Sequence, residues 1–115
     1  MAEEKSHDKK VFSYGEALAM LPEVRRLTEE AYQQATALAA QAEGGGASMQ
    51  EIEELVGEVI RDWAQAMVAK GLEVKGLWLV DWDNGSGYYC WKHPEDGLHY
   101  FHSYEEGFRG RMRIQ

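Results

Sequence analysis

One cysteine and two prolines in 115 residues each close off a class of explanation. A single thiol cannot build a disulfide framework within its own chain, and Cys90 suits a reducing compartment. No stretch approaches the ~20 apolar residues of a membrane span, and the opening MAEEKSHDKK is charged with no apolar run behind it. Together these absences lead us to expect a cytoplasmic protein without a membrane partner. Basic side chains are also scarce: residues 1–76 carry 8 against 14 acidic, residues 77–115 carry 4 against 6, and the formal charge is −8. Nucleic-acid affinity draws on Lys and Arg that displace phosphate counterions, so no nucleic-acid partner is expected. Arg109, Arg111 and Arg113 form the one local basic patch.

What the chain does contain is divided unevenly. The stretch from Gly71 to Gln115 holds nine of the thirteen aromatic residues, the cysteine and three of the four histidines, so candidate chemistry concentrates there. Residues 1–11 lack periodicity and are expected to form a mobile N-terminal arm. Residues 12–115 fit a single α+β domain, with helices over about 13–70, a sheet over about 74–103 and an irregular tail over 104–115.

Ser13 and Glu16 have the spacing of a capping box, in which each side chain satisfies an amide at the start of a helix. Pro22 is unfavourable inside a helix but welcome at its first position. The expectation is therefore a short leading helix to about Met20 and a longer one from Pro22. Leu21, Val24, Leu27 or Thr28, Ala31, Ala35, Leu38 and Ala39 give the longer piece an apolar stripe that fades toward alanine and ends at Gly44-Gly45-Gly46. Ser48 and Glu51 form a second box. Behind them Ile52, Leu55, Val56, Val59, Ile60, Trp63, Ala66 and Met67 make a second stripe, which Gly71 stops. The two long helices are expected to pair as an antiparallel hairpin. Glu51, Glu54, Glu58 and Asp62 read as a solvated face, since the Glu-x-x-His partner of carboxylate metal bundles is absent.

After Gly71 the period turns strand-like. Residues 77–82, 87–92 and 98–102 predict a three-stranded antiparallel β-meander packed against the helices. Asn84-Gly85 is the strongest hairpin signal, because both central residues of the favoured turn take positive φ. Pairing about it sets Val80 opposite Tyr89 and Leu79 opposite Cys90. An even-length second loop then sorts Trp78, Val80, Trp82, Tyr89, Trp91, Leu98, Tyr100 and His102 to a core face. Leu77, Leu79, Asp81, Tyr88, Cys90, Lys92, His99 and Phe101 fall on the other.

Leu21-Pro22, Val74-Lys75, Leu79-Val80-Asp81, Cys90-Trp91, Glu95, Tyr100-x-His102, Gly107-Phe108 and Gly110-Arg111, in that order, resemble the prokaryotic family called domain of unknown function 2203. The resemblance spans about Phe12 to Ile114. Trp82, Phe101 and His93-Pro94 depart from the family pattern. The family brings no established activity; by position it points to Asp81, Cys90, Trp91, Glu95, His102, Gly107, Phe108 and Arg111.

Asp81, Cys90, Glu95 and His102, with His93 and His99 nearby, include the ligand types that zinc or iron takes. Cys90, His99, His102 and Glu95 are the metal candidates, although no Cys-x-x-Cys pair is present and no cofactor is required by the sequence. A Cys90-His99-Asp81 nucleophile arrangement is possible if the second loop has four residues. Arg111 can clamp a carboxylate of Asp81, Glu95, Glu105 or Glu106 and so pin the tail, or receive an anionic ligand together with His102. The leading expectation is a homodimeric structural or interaction module joined through its helices. The alternative is a metal- or anion-binding protein, or an enzyme, that uses Asp81, Cys90, Glu95, His102 and Arg111.

Overall fold

A computed structural model describes residues 10–45 and 48–115. Helix α1 spans Tyr14–Glu43 and α2 spans Met49–Ala69, each opened by the complete capping box of Ser13 with Glu16 and Ser48 with Glu51. Five strands follow: β1 Glu73–Gly76, β2 Leu79–Asp83, β3 Gly87–Lys92, β4 Tyr100–Ser103 and β5 Met112–Arg113. They form one antiparallel sheet in the order β1-β2-β3-β4-β5, so the fold is α+β.

The helix boundary expected at Pro22 is absent: α1 runs through the proline without a break. Leu18, whose carbonyl loses its amide partner, and Pro22 both lie on the exposed side, so the carbonyl is not buried without a donor. On the opposite side Ala17, Leu21, Val24, Thr28 and Ala31 are buried both before and after the proline. This continuous packing offsets a penalty of about 3 kcal/mol. Of the arm expected over 1–11, residues 1–9 lie outside the described residues. Lys10 and Val11 are exposed, whereas Phe12 is buried and its amide donates to the Asp83 carbonyl at 2.7 Å.

The helices touch at points that run in opposite chain order, Glu23 with Lys70 and Thr28 with Trp63. The Trp63 indole donates to Thr28 Oγ1 at 2.8 Å, which explains why a threonine sits fully buried in the α1 stripe. One continuous core joins Phe12, Leu21, Val24, Trp63, Met67, Val80, Trp82, Trp91 and Leu98 across helices and sheet.

The sheet corrects the three-strand expectation at both edges. β1 has a single inward apolar residue, Val74, and a bulge before Gly76, which leaves too short a pattern to read from the sequence. β5 is only two residues long and comes out of the tail read as irregular, after a 3₁₀ turn over Phe108–Gly110. Trp78, expected in a strand, instead sits in the β1-β2 turn at φ 61°, with its ring edge-on to Trp63.

The first hairpin turns about Gly85 and Ser86, not Asn84 and Gly85. The Asn84 amide meets the Gly87 carbonyl at 2.8 Å, and Gly85 carries φ 92°, the positive value that a glycine-first hairpin turn needs. Asp83 Oδ1 accepts from the Gly85 amide and Asn84 Oδ1 from that of Ser86, which fixes this choice. Val80 therefore faces Trp91, and Asp81 faces Cys90. The register differs from the expected one by two residues, a shift that leaves every side chain on its expected face.

The second connection is different. Cys90 pairs with Tyr100, Tyr89 with Phe101 and Tyr88 with His102. The expected sorting of β4 is thereby inverted: Phe101 joins the core side, and His102 joins Asp81 and Cys90 on the other.

Candidate metal centre

The sheet face turned away from the helices carries the polar residues. Along it, the ladder sets Asp81 on β2 opposite Cys90 on β3, and His102 on β4 opposite Tyr88. Lys75 reaches the same face from β1, and the tail brings Gly107 and Phe108 over it. Together with Leu79 they enclose a cavity of about 210 Å³.

Within this cavity one ligand atom each from Asp81, Cys90 and His102 lies within 4.8 Å of the others, and all three residues are buried. His102 Nδ1 is 2.8 Å from the Ser103 carbonyl. A carbonyl only accepts, so Nδ1 carries the proton, and Nε2 points at Asp81 Oδ2 from 2.9 Å. The second Asp81 oxygen, Oδ1, is buried without a hydrogen-bond partner. A buried carboxylate oxygen left in this state favours a cation or a proton beside it.

Two flanking pairs set the charge around the trio. Lys75 Nζ stands 3.6 Å from Asp81 Oδ2 and 3.6 Å from Glu73 Oε1, above the Tyr88 ring at 4.0 Å. Tyr88 donates to the same Glu73 oxygen at 3.1 Å. On the other flank Arg111 Nη1 lies 3.9 Å from Cys90 Sγ and 2.8 Å from Glu95 Oε2. Its guanidinium is stacked between Tyr100 and Phe108, 4.0 Å from each ring centre. Lys75 is thus shared between Asp81 and Glu73, whereas Arg111 is committed to Glu95 with the Cys90 thiol at its edge.

Burial pushes the Asp81 carboxyl above its ordinary range, and His102, Cys90 and Lys75 pull it part of the way back. Burial, followed by the Asp81 charge, pushes the Cys90 thiol up to about 12, with Arg111 opposing. An unligated Cys90 is a protonated thiol at neutral pH and a poor nucleophile. A bound cation would reverse this, because a coordinating thiol is deprotonated outright.

Of the residues singled out from the sequence, the fold thus unites Asp81, Cys90 and His102. Glu95 is not in the trio: its Oε1 accepts the Lys92 amide at 2.9 Å, and its Oε2 holds Arg111. His99 is not beside Cys90, as the Cys90-His99-Asp81 arrangement required; Tyr100 occupies that place, and His99 pairs with Asp96 at 3.0 Å on the surface. His93 bonds Glu29 of α1 at 2.6 Å and fastens the second loop to the helix. Trp91 is core, its indole donating to the Glu95 carbonyl at 2.9 Å. Lys75, Glu73 and Tyr88 were not among the sequence candidates. Tyr88 was set on the same face as Asp81 and Cys90 without a role, and for Glu73 and Lys75 the alternation Glu73-Val74-Lys75 is too short to mark a strand.

The model of the family described as "Uncharacterized conserved protein (DUF2203)" matches residues 10–114. No curated protein and no solved structure matches the chain. With nearly the whole chain covered, from Lys10 through the capping boxes, the Asp81-Cys90-His102 face and the Arg111 tail, the chain belongs to the DUF2203 family.

Proposed function

We propose that the chain binds one divalent transition metal through Asp81, Cys90 and His102. The observation that carries this reading is the His102 ring, whose Nδ1 is tied to a backbone carbonyl while Nε2 faces a buried carboxylate and thiol. Metal-ligating histidines are commonly held in this way, because the outer hydrogen bond fixes the tautomer and aims the lone pair. Thiolate, imidazole and carboxylate together suit zinc or ferrous iron. Three protein ligands leave a fourth position open, as in zinc sites that act on a bound molecule. Tetrahedral bonds of ~2.0–2.3 Å separate ligand atoms by roughly 3.3–3.8 Å, so Asp81 and His102, at 2.9 Å, would part by about half an ångström, and a trio lying within 4.8 Å would draw in by up to about 1 Å.

Metal analysis of protein purified without a histidine tag tests this. One equivalent of zinc or iron per chain is expected, with affinity reduced at least about ten-fold in Cys90→Ser and in His102→Gln. Substoichiometric metal, together with equal affinities in the wild type and the variants, would overturn the reading.

A second reading rests on a different surface. The helices, taken as an antiparallel hairpin, leave an apolar groove of about 440 Å³ between their distal ends, lined among others by Ala39, Ala42, Met49, Ile52, Val56 and Ile60. In α2 only Ile52, Trp63 and Met67 are buried, and Leu55 is 43% exposed. A second copy apposed through this face would cover the remainder with two-fold symmetry.

A further inference from the structure

The walls of the cavity beside the trio differ in chemistry. Lys75 is the cation that lines it, whereas Leu79 and Phe108 supply apolar surface. The Lys75 side chain is 37% exposed, and its Nζ has no contact shorter than 3.6 Å to either neighbouring carboxylate, so its hydrogen-bonding capacity is not used up by them. Gly107 at the cavity rim is exposed, and a Cβ built on it would meet nothing within 4 Å. An incoming molecule thus meets a positive charge next to the metal ligands and a greasy wall beyond.

We infer that the open coordination position receives the carboxylate of a short aliphatic acid, with Lys75 pairing its charge and Leu79 and Phe108 covering its hydrocarbon part. This rests on the metal reading above. Phosphate or a halide would satisfy Lys75 but leave the apolar wall wet. A drug-sized acid would exceed a cavity of about 210 Å³, which is smaller than the ~300–1,000 Å³ of drug-sized pockets.

The test uses the full chain loaded with cobalt(II), whose thiolate charge-transfer band reports the Asp81-Cys90-His102 site and whose visible bands report the open position. Acetate, butyrate and inorganic phosphate are titrated in turn. Butyrate is expected to change the visible bands saturably and to bind roughly ten-fold more tightly than acetate, since two further methylenes leave water. Lys75→Met, which keeps the stem over Tyr88, should weaken butyrate at least about ten-fold while the charge-transfer band stays unchanged. Phe108→Ala should erase most of the preference for butyrate over acetate. The inference is overturned if the charge-transfer band is present and butyrate leaves the visible bands unmoved, if phosphate binds as tightly as butyrate, or if Lys75→Met binds butyrate like the wild type. Absence of the charge-transfer band overturns the metal reading instead.

Discussion

Glu95 Oε2 holds Arg111 Nη1 at 2.8 Å, with both side chains less than a quarter exposed. The pair fastens the C-terminal tail to the β3-β4 loop, and Tyr100 and Phe108 hold the guanidinium between them. Arg111→Ala should therefore cost about 1–3 kcal/mol, because it strands a half-buried carboxylate and removes stacking. Arg113, on the surface, touches the Tyr100 side chain, with its hydroxyl at 3.4 Å and its ring centre at 5.7 Å, and Arg113→Ala should change stability by less than about 0.5 kcal/mol. Urea unfolding of both variants checks this; equal effects would remove the clamp's special role.

Alkaline unfolding tests the Cys90 environment in metal-free protein. The folded thiol titrates at about 12 against an ordinary value of 9.0. Between these values the unfolded chain binds fewer protons than the folded one, so stability falls as pH rises through that window. The loss is up to about 4 kcal/mol at ~1.4 kcal/mol per unit. Cys90→Ala should have a flatter stability profile over the same range, and identical slopes would show that the thiol is not shielded. Native protein at neutral pH should also resist thiol reagents until it is unfolded.

Thr28→Val keeps the shape of the α1 stripe but removes the acceptor for the Trp63 indole. A buried donor left without a partner costs about 1–3 kcal/mol. The control Thr36→Val, at an exposed position of the same helix, should lie within about 0.5 kcal/mol of the wild type. Thermal unfolding of the two variants side by side gives the comparison.

Two glycines predict opposite signs. A Cβ at Gly87 would come within 2.4 Å of the His102 carbonyl, so Gly87→Ala should destabilise by about 1–3 kcal/mol and weaken metal binding through the displaced β4. A Cβ at Gly57, inside α2, meets nothing within 4 Å, and Gly57→Ala should stabilise by about 0.5–1 kcal/mol. Denaturant midpoints decide both.

Light scattering at micromolar concentration tests the proposed pairing of helical faces. A dimer is expected for the wild type and a folded monomer for Leu55→Glu, whose side chain is already exposed in a single chain. A monomeric, folded wild type would dispose of the proposal.

Much of this architecture was legible where a short segment decides its own structure. Ser13 with Glu16, and Ser48 with Glu51, start helices through contacts three residues apart, and both boxes form. Pro22 misled because its local penalty is opposed by burial of Leu21 and Val24 against residues far along the chain, information that no window around the proline contains. The Asn84-Gly85 signal placed the turn one position early, since the side chains of Asp83 and Asn84 selected Gly85 and Ser86. Even so, the sorting of β2 and β3 survived, and Asp81 and Cys90 were correctly set on one face. His102 was expected on the core face and lies on the other, because its face depends on the length and path of a loop fastened by His93 to Glu29 and by Trp91 to Glu95. Lys75 appeared only within the family resemblance and without a role, for a related reason: β1 owes its existence to β2, not to its own sequence.

The connection between β3 and β4, residues 93–99, acts as a switch on the composition of the cavity. Adding one residue there, with the strands still paired, would put Phe101 where His102 now stands beside Asp81 and Cys90, and deleting one would put Ser103 there. A change of two would return the histidine to this face but two residues along it, with a tyrosine in its place beside Asp81 and Cys90. Within homologues that retain the site, the length of this loop should therefore be constant, and a single-residue insertion should mark a branch that has exchanged its histidine for an apolar side chain.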